Sequence, residues 1–65
     1  MELFLNGENI KTKSLTLAKL IAEKGFDTGG LIIELNQKII QKENFDHVFL
    51  NNGDKIECIT FVGGG

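Results

Sequence analysis

The stretch that decides the fold closes the chain: Lys55-Ile56-Glu57-Cys58-Ile59-Thr60-Phe61-Val62-Gly63-Gly64-Gly65. Alternation of apolar and polar residues predicts a strand from Lys55 to Val62. The three glycines that follow are unsuited to a packed element, because glycine loses the most backbone entropy on ordering and contributes no side chain. The sequence therefore predicts a folded domain over residues 1–62 and a flexible glycine tail over residues 63–65.

The final strand is predicted to have two different faces, because successive side chains alternate along a strand. Ile56 and Cys58 fall on the face expected to meet a helix, whereas Ile59 and Phe61 fall on the other. A single sheet covered by one helix leaves one face open to water. We expect Ile59 and Phe61 to form a docking surface beside the tail. The alternative is ordinary surface, since isolated exposed apolar residues are common.

The tail itself has the properties of a reactive arm. It reaches roughly 10 Å beyond its last anchored residue, and without Cβ atoms it fits a channel too narrow for other residues. The carboxylate of Gly65 is open on every side, which suits activation by ATP on a partner enzyme followed by capture of the acyl group. Gly64 and Gly63 would form the arm. The alternative is a frayed end or a cloning remnant.

The first thirteen residues predict a β-hairpin. Leu3 and Leu5 alternate with other residues in the first strand, and Ile10 lies in the more polar second strand. Between them, Asn6-Gly7 is a preferred type I′ turn dipeptide, because both of its positions tolerate positive φ.

A helix is predicted next. Thr16 is placed to cap its first turn, with Leu15 and Leu20 at the spacing of a hydrophobic staple. Leu20 also belongs to a buried stripe at helical spacing with Leu17 and Ile21. Gly25 ends the helix as a left-handed residue.

The remainder predicts further strands separated by turns. A β-branched strand covers residues 31–35, Asn36-Gln37 forms a turn, and a short strand covers residues 38–41. Residues 42–50 are less regular, and Asn52-Gly53-Asp54 is another turn. The fold class is α+β: a mixed sheet packed on one main helix. The predicted core comprises Leu3, Leu5, Leu17, Leu20, Ile21, Leu31, Ile33, Leu35 and Ile56.

Composition narrows the functional classes. The 65 residues carry a net charge of −2, with seven lysines and no arginine, which disfavours a nucleic-acid binder. No stretch approaches a membrane span or a secretory leader, so no membrane partner is expected. Cys58 is the only cysteine, which excludes an internal disulfide and fits a reducing cytoplasm.

No enzyme site is visible among the other polar residues. His47 lacks an oriented partner for acid–base chemistry, and a surface position is the simpler interpretation. Cys58 is conceivable as a persulfide acceptor, but its inward position is typical of a small hydrophobe. Several acids, namely Glu23, Asp27, Glu43 and Asp46, show no metal-ligand spacing.

In this order of elements the chain resembles the ubiquitin-like β-grasp, and within it the ThiS family of thiamine-pathway sulfur carriers. The resemblance covers the whole chain and is carried by Asn6-Gly7-Glu8, Thr16-Leu17, Leu35-Asn36, Asn52-Gly53-Asp54-Lys55-Ile56 and Gly64-Gly65. Two departures stand out. Gln41-Lys42 replaces a proline and arginine frequent in the family, and three glycines close the chain where many members have two.

The resemblance implies a fold and a chemistry. The first and last strands would be parallel neighbours. Gly65 would be adenylated by a ubiquitin-activating-like adenylyltransferase that uses ATP, so this chain would bind no cofactor itself. Sulfur derived from a cysteine desulfurase would give a terminal thiocarboxylate, which a thiazole synthase would consume. The chain would be a carrier and not an enzyme.

Other functions stay open on the sequence. One is a related β-grasp carrier or modifier: the small molybdopterin synthase subunit, a tRNA-thiolation sulfur donor or a protein-conjugating tag. Another is a non-catalytic β-grasp interaction module.

Overall fold

The structure is a computed structural model that describes residues 1–60 of the chain. The predictions that concern Phe61, Val62 and the three glycines, including the boundary between domain and tail, lie outside the described residues. In chain order the elements are β1 (Glu2–Leu5), β2 (Glu8–Lys11), α1 (Leu17–Lys24), β3 (Leu31–Leu35), β4 (Lys38–Ile40), a 3₁₀ helix (Lys42–His47) and β5 (Lys55–Thr60).

The predicted N-terminal hairpin is confirmed. Strands β1 and β2 pair antiparallel, with Leu5 opposite Glu8 beside the turn. Asn6 has φ 51° and Gly7 has φ 81°. Positive φ at both central residues is the geometry of a type I′ turn, whose twist matches that of the flanking strands.

The helix begins and ends where its capping residues predict. The Oγ1 atom of Thr16 accepts a hydrogen bond from the backbone N–H of Lys19 at 3.2 Å. At the other end Gly25 is left-handed, with φ 72°, and its N–H donates to the carbonyl of Ala22 at 3.1 Å. Leu15 departs from its predicted staple role: its side chain stays 63% exposed, although Leu20 is buried.

The segment after β3 differs in detail from the prediction. β4 ends at Ile40, one residue earlier than expected, and a 3₁₀ helix replaces the irregular segment. This helix has only one buried side chain, that of Phe45. A single apolar residue in six creates no helical periodicity, so the pattern on which helix prediction depends is missing.

The five strands form one mixed sheet in the order β2-β1-β5-β3-β4. β5 lies between β1, to which it is parallel, and β3, to which it is antiparallel. The expected parallel contact between the first and last strands is therefore confirmed, and with it the predicted β-grasp arrangement.

The core joins the apolar stripe of α1 to the inner face of the sheet. Eight of the nine predicted core residues are buried; Leu35 is only half-buried and packs at the margin of the core. Its position explains the difference, since it immediately precedes the Asn36-Gln37 turn at the end of the sheet. Phe45 and Leu50 complete the buried set.

Candidate functional site

The last described strand projects beyond the hairpin beside it. Pairing between β1 and β5 covers Phe4 with Lys55 and Leu5 with Ile56. On the other side β3 accompanies β5 as far as the pair of Leu31 with Thr60. The described part of β5 therefore runs towards the end of the sheet at which the turn between β1 and β2 lies.

Two asparagines hold β5 from its two sides, each through its backbone and its side chain. The backbone N–H of Asn6 donates to the carbonyl of Ile56 at 2.8 Å, and the Asn6 Oδ1 atom accepts from the N–H of Cys58 at 2.8 Å. On the β3 side, the backbone N–H of Asn36 donates to the carbonyl of Lys55 at 2.8 Å, and the Asn36 Oδ1 atom accepts from the N–H of Lys55 at 2.9 Å. The strand that precedes the tail is thus fixed in register on both sides.

Asp54 anchors the beginning of the same strand. It is buried, and its Oδ1 accepts from the amide of Asn36 at 3.0 Å while its Oδ2 accepts from the N–H of Asn51 at 2.8 Å. Its carbonyl accepts from the N–H of Phe4 at 2.9 Å. A buried carboxylate needs such donors, and here they tie the turn before β5 to both neighbouring strands.

The face of the sheet opposite the helix carries an apolar surface. Its large apolar side chains are between 37% and 64% exposed and come from four strands: Phe4, Ile32, Ile39 and Ile59. Ile59 lies opposite Ile32 in the register of β5 with β3. The predicted position of Ile59 on this open face is confirmed; its role in docking stays a prediction, and Phe61 lies outside the described residues.

Three members of this surface were not predicted from the sequence: Phe4, Ile32 and Ile39. Phe4 alternates with Leu3 and Leu5, and Ile32 lies between Leu31 and Ile33. The alternation that placed Ile59 outward places both outward too. Ile39 has a weaker signal, because it belongs to a strand of only three residues.

Cys58 is half-buried on the helix side and packs against the core. Burial raises the pKa of its thiol, and the nearby Glu57 carboxylate raises it further. The thiolate is the nucleophilic form of cysteine. This environment therefore disfavours Cys58 as a persulfide acceptor, as the sequence argument expected.

The remaining candidates do not form a site. His47 is exposed at the end of the 3₁₀ helix. Within residues 1–60, no group of three or more His, Cys, Asp or Glu side chains is placed to hold a metal ion. Over the same residues, no helix has the length and apolar character needed to cross a bilayer.

A second exposed apolar pair was not foreseen. Leu15 and Phe49, 63% and 68% exposed, line a surface depression of about 530 Å³ together with Lys13 and Lys19. Leu15 follows β2, so the depression adjoins the end of the sheet at which β1 begins. Thr60, the last described residue, lies towards the opposite end of the sheet, because β5 runs parallel to β1.

The chain is similar to known members of the ThiS family in sequence and in fold. The model of the ThiS family matches residues 3–65. The sulfur carrier protein ThiS of Bacillus subtilis (strain 168) is 40% identical over 63 residues, which cover 94% of this chain and 96% of the relative. The crystal structure of the thiamine biosynthesis protein (ThiS) from Geobacter metallireducens superposes with a TM-score of 0.83 at 30% identity and covers all of both chains.

A longer relative also matches. The thiazole synthase of Paramagnetospirillum magneticum (strain ATCC 700264 / AMB-1) is 38% identical over 66 residues. The match covers 100% of this chain and 20% of the synthase. This chain therefore spans about a fifth of the length of that relative.

Proposed function

The chain belongs to the ThiS family, and from this premise we propose that it is a sulfur carrier protein of thiamine biosynthesis. In this role it is a substrate of partner enzymes and not itself an enzyme. The observation that carries the proposal is that the family model extends through Gly65. The strand that ends at Thr60, three residues before the first of the three terminal glycines, is held on both sides by Asn6 and Asn36.

The proposed chemistry takes place at the carboxylate of Gly65. One of its oxygens attacks the α-phosphorus of ATP on a ubiquitin-activating-like adenylyltransferase, and pyrophosphate leaves. The acyl-adenylate is a mixed anhydride with an electrophilic carbonyl carbon. A persulfide derived from a cysteine desulfurase attacks that carbon and displaces AMP. A thiol then cleaves the new S–S bond and releases the terminal thiocarboxylate. ATP belongs to the activating enzyme, and the carrier binds no cofactor.

The proposed acceptor of the sulfur is a thiazole synthase. Support comes from the relative that bears this name and contains a segment matching the whole of this chain. A carrier segment within the synthase chain raises the effective concentration of one for the other.

Docking to the activating enzyme is proposed at Ile59 and Phe61. Ile59 lies on the open face of the sheet, one residue before the last described residue, Thr60. A few central apolar anchors commonly dominate an interface, and a charge placed among them is costly to desolvate. Changing both residues to aspartate should therefore weaken adenylation without unfolding the domain.

The test concerns the length of the arm. Deleting Gly65 withdraws the carboxylate by about 3.3–3.6 Å, which removes it from attack distance if the channel of the enzyme has a fixed length. Adding an alanine after Gly65 displaces the carboxylate the other way and adds a Cβ. Both variants should lose ATP–pyrophosphate exchange with the activating enzyme. Gly64→Ala should be impaired more than Gly63→Ala, because the channel is expected to be narrowest near the phosphate.

The control is the melting temperature, which should be the same for all these variants as for the wild-type chain. Exchange by the Gly65 deletion at the wild-type rate would show that the terminal carboxylate is not the reacting group. Mass analysis of the protein from its native host distinguishes the alternatives. A thiocarboxylate indicates a carrier, an isopeptide bond to lysine indicates a modifier, and an unaltered terminus indicates an interaction module.

A further inference from the structure

The surface depression at Leu15 and Phe49 has a fixed backbone beneath it. The N–H of Leu50 donates to the carbonyl of Leu15 at 2.9 Å, and the N–H of Leu17 donates to the carbonyl of Val48 at 2.9 Å. These bonds join the segment before α1 to the segment after the 3₁₀ helix. The two exposed apolar side chains are therefore held side by side, and covering them would remove apolar surface from water.

Lysines border these two side chains. Lys13 and Lys19 line the depression, and residues 9–22 contain no acid. Glu23, the acid among the lining residues, is already engaged: its Oε1 accepts from two hydroxyls, and its Oε2 lies 3.9 Å from the ammonium group of Lys24. Within residues 1–60, neither Lys13 nor Lys19 has a carboxylate within 4.0 Å. The depression therefore suits an occupant that is both apolar and anionic.

One segment of the chain has this chemistry. Residues 61–65 begin with two apolar side chains, Phe61 and Val62, and end at Gly65. Under the proposed function Gly65 carries a free carboxylate, which is ionised at neutral pH. The residues that join the apolar pair to the carboxylate are glycines, whose backbone freedom lets both groups meet one small surface.

A chain cannot place this segment in its own depression. From the level at which Phe4 pairs with Lys55, Thr60 lies five residues in one direction along the sheet. Glu2, at the end of the sheet that the depression adjoins, lies two residues in the other direction. Seven residues of strand span about 23 Å, whereas Val62 lies at most about 7 Å beyond Thr60. The occupant must come from another molecule.

We propose that the depression binds residues 61–65 of a second copy of the chain. The two apolar side chains of that segment pack on Leu15 and Phe49, and its carboxylate pairs with Lys13 and Lys19. The free carboxylate in this assignment rests on the proposed function. The contact is heterologous, because the depression and the tail are different surfaces of the molecule. It is also small, so the association is weak and reversible.

This association withdraws the reactive end of the carrier. A tail that lies in a neighbouring copy is not available to the activating enzyme, and its share rises with carrier concentration by mass action. A symmetric dimer through two facing depressions is disfavoured, because it would place the lysines of one copy against those of the other.

The first experiment titrates the isotope-labelled chain with three synthetic peptides and follows its amide signals by NMR. One peptide has the sequence of residues 60–65 with a free carboxylate, and the second has the same sequence with a C-terminal amide. The third keeps the carboxylate and has serine at the positions of Phe61 and Val62. We expect the first to shift the signals of Leu15 and Phe49, and the other two to bind about threefold more weakly or worse at low ionic strength.

A matched pair of variants tests the apolar part of the depression. Leu15 and Ile39 are 63% and 64% exposed, and Ile39 lies on the open face of the sheet. Leu15→Ser should weaken binding of the first peptide by about fivefold or more, since apolar contact is lost. Ile39→Ser should change it by less than about twofold. Both variants should keep the wild-type melting temperature, because neither side chain belongs to the core.

A second pair tests the charges. Lys13→Gln with Lys19→Gln should abolish the preference for the free carboxylate over the amide. Lys38→Gln with Lys55→Gln removes the same net charge from exposed positions on β4 and β5 and should keep that preference. The comparison separates pairing at the depression from the overall charge of the chain.

The full chain tests the second copy. As its concentration rises to about 1 mM, the signals of Leu15 and Phe49 should move in the direction that the first peptide moves them, and the Phe49 signal of Leu15→Ser should stay in place. Signals independent of concentration in the wild-type chain would overturn the proposal. Equal binding of an unrelated acidic peptide would also overturn it, by indicating a general acidic partner.

ATP–pyrophosphate exchange with the activating enzyme of the same organism tests the proposed function separately. Self-association in a chain that performs no exchange would uphold the depression as a tail-binding surface and overturn the proposed function. Exchange without any response to the first peptide would do the reverse.

Discussion

Asn6 and Asn36 show how a single side chain can extend a sheet beyond its strands. Both residues lie in turns at φ 51°, immediately after the last paired residues of β1 and β3. Each returns an Oδ1 atom to an N–H of β5, at 2.8 Å for Cys58 and 2.9 Å for Lys55. Asparagine tolerates the left-handed region and carries a peptide-like amide. It therefore satisfies a turn and a neighbouring strand at the same time.

Glu23 joins the end of the hairpin to the helix. Its Oε1 accepts from the hydroxyl of Thr12, which is buried, at 2.5 Å and from the hydroxyl of Ser14 at 2.7 Å. These two hydrogen bonds hold the pKa of the Glu23 carboxyl below its usual value of 4.5, and the bond from Thr12 has the larger effect. Both favour the ionised form.

The pH dependence of stability follows from this shift. Because the pKa of Glu23 is lower in the folded than in the unfolded chain, its contribution is present above pH 4.5 and disappears as pH falls through the folded pKa. We expect Glu23→Gln to be less stable than the wild type at neutral pH. The two should converge as the solution is acidified below pH 4.5, as measured by urea unfolding at several pH values.

Glu8→Gln is the control for that series, since the Glu8 side chain takes part in none of the side-chain hydrogen bonds found within residues 1–60. At neutral pH it should lose less unfolding free energy than Glu23→Gln does. A gap between Glu23→Gln and the wild type that persists at low pH would show that the two hydrogen bonds do not favour the ionised carboxylate.

At the scale of elements, the two hairpins use the same turn geometry with different residues. Asn6-Gly7 joins β1 to β2, and Asn36-Gln37 joins β3 to β4 with φ of 51° and 73°. The second position of the turn is Gly7 in the first hairpin and Gln37, which carries a side chain, in the other. The second turn is therefore the more strained.

Removing the glycine from the first turn and adding one to the second should change the free energy of unfolding in opposite directions. Gly7→Ala should lose about 1–2 kcal/mol of unfolding free energy, because alanine is disfavoured at φ 81°. An added Cβ at Gly7 would meet nothing within 4 Å, so the loss would come from the backbone alone. Gln37→Gly should gain at most about 1 kcal/mol, since relief of strain is partly offset by unfolded-chain entropy.

Urea unfolding measures both changes in the free energy of unfolding, provided that its dependence on urea concentration has the same slope in the variant and the wild type. Destabilisation by Gln37→Gly would indicate that the side chain of Gln37 contributes more than its backbone strain costs.

At the scale of the whole molecule, β5 is the central strand, although it comes last in the chain. It is paired with β1 on one side and with β3 on the other. β2 and β4 are the edges, and β4 has only three residues. Central strands open only with the whole domain, whereas edge strands open locally.

Amide hydrogen exchange should reproduce this order. We expect the slowest exchange in β5 and in its neighbours β1 and β3, and faster exchange in β2 and β4, as measured by NMR on the wild-type chain. Protection in β4 equal to that in β5 would contradict a sheet with a free edge at β4, and would point to an association that covers it.

Local features of this protein could be predicted from the sequence because their causes lie within a few residues. Asn6-Gly7 specifies its turn through the φ that both residues tolerate, and Thr16 and Gly25 specify the ends of the helix through caps. Alternation along β5 assigned Ile56 inward and Ile59 outward. The glycines of residues 63–65 indicated a tail by composition alone, and its role stays a prediction.

Tertiary structure decided what depends on segments far apart in the chain. The bond between Asn6 and Cys58 spans 52 residues, and the opposition of Glu34 and Glu57 exists only because β3 and β5 adopt one particular register. The half-burial of Leu35 and the exposure of Leu15 depend on where the sheet and helix end. Side-chain periodicity specifies which face a residue occupies, but strand pairing determines which residue it meets there.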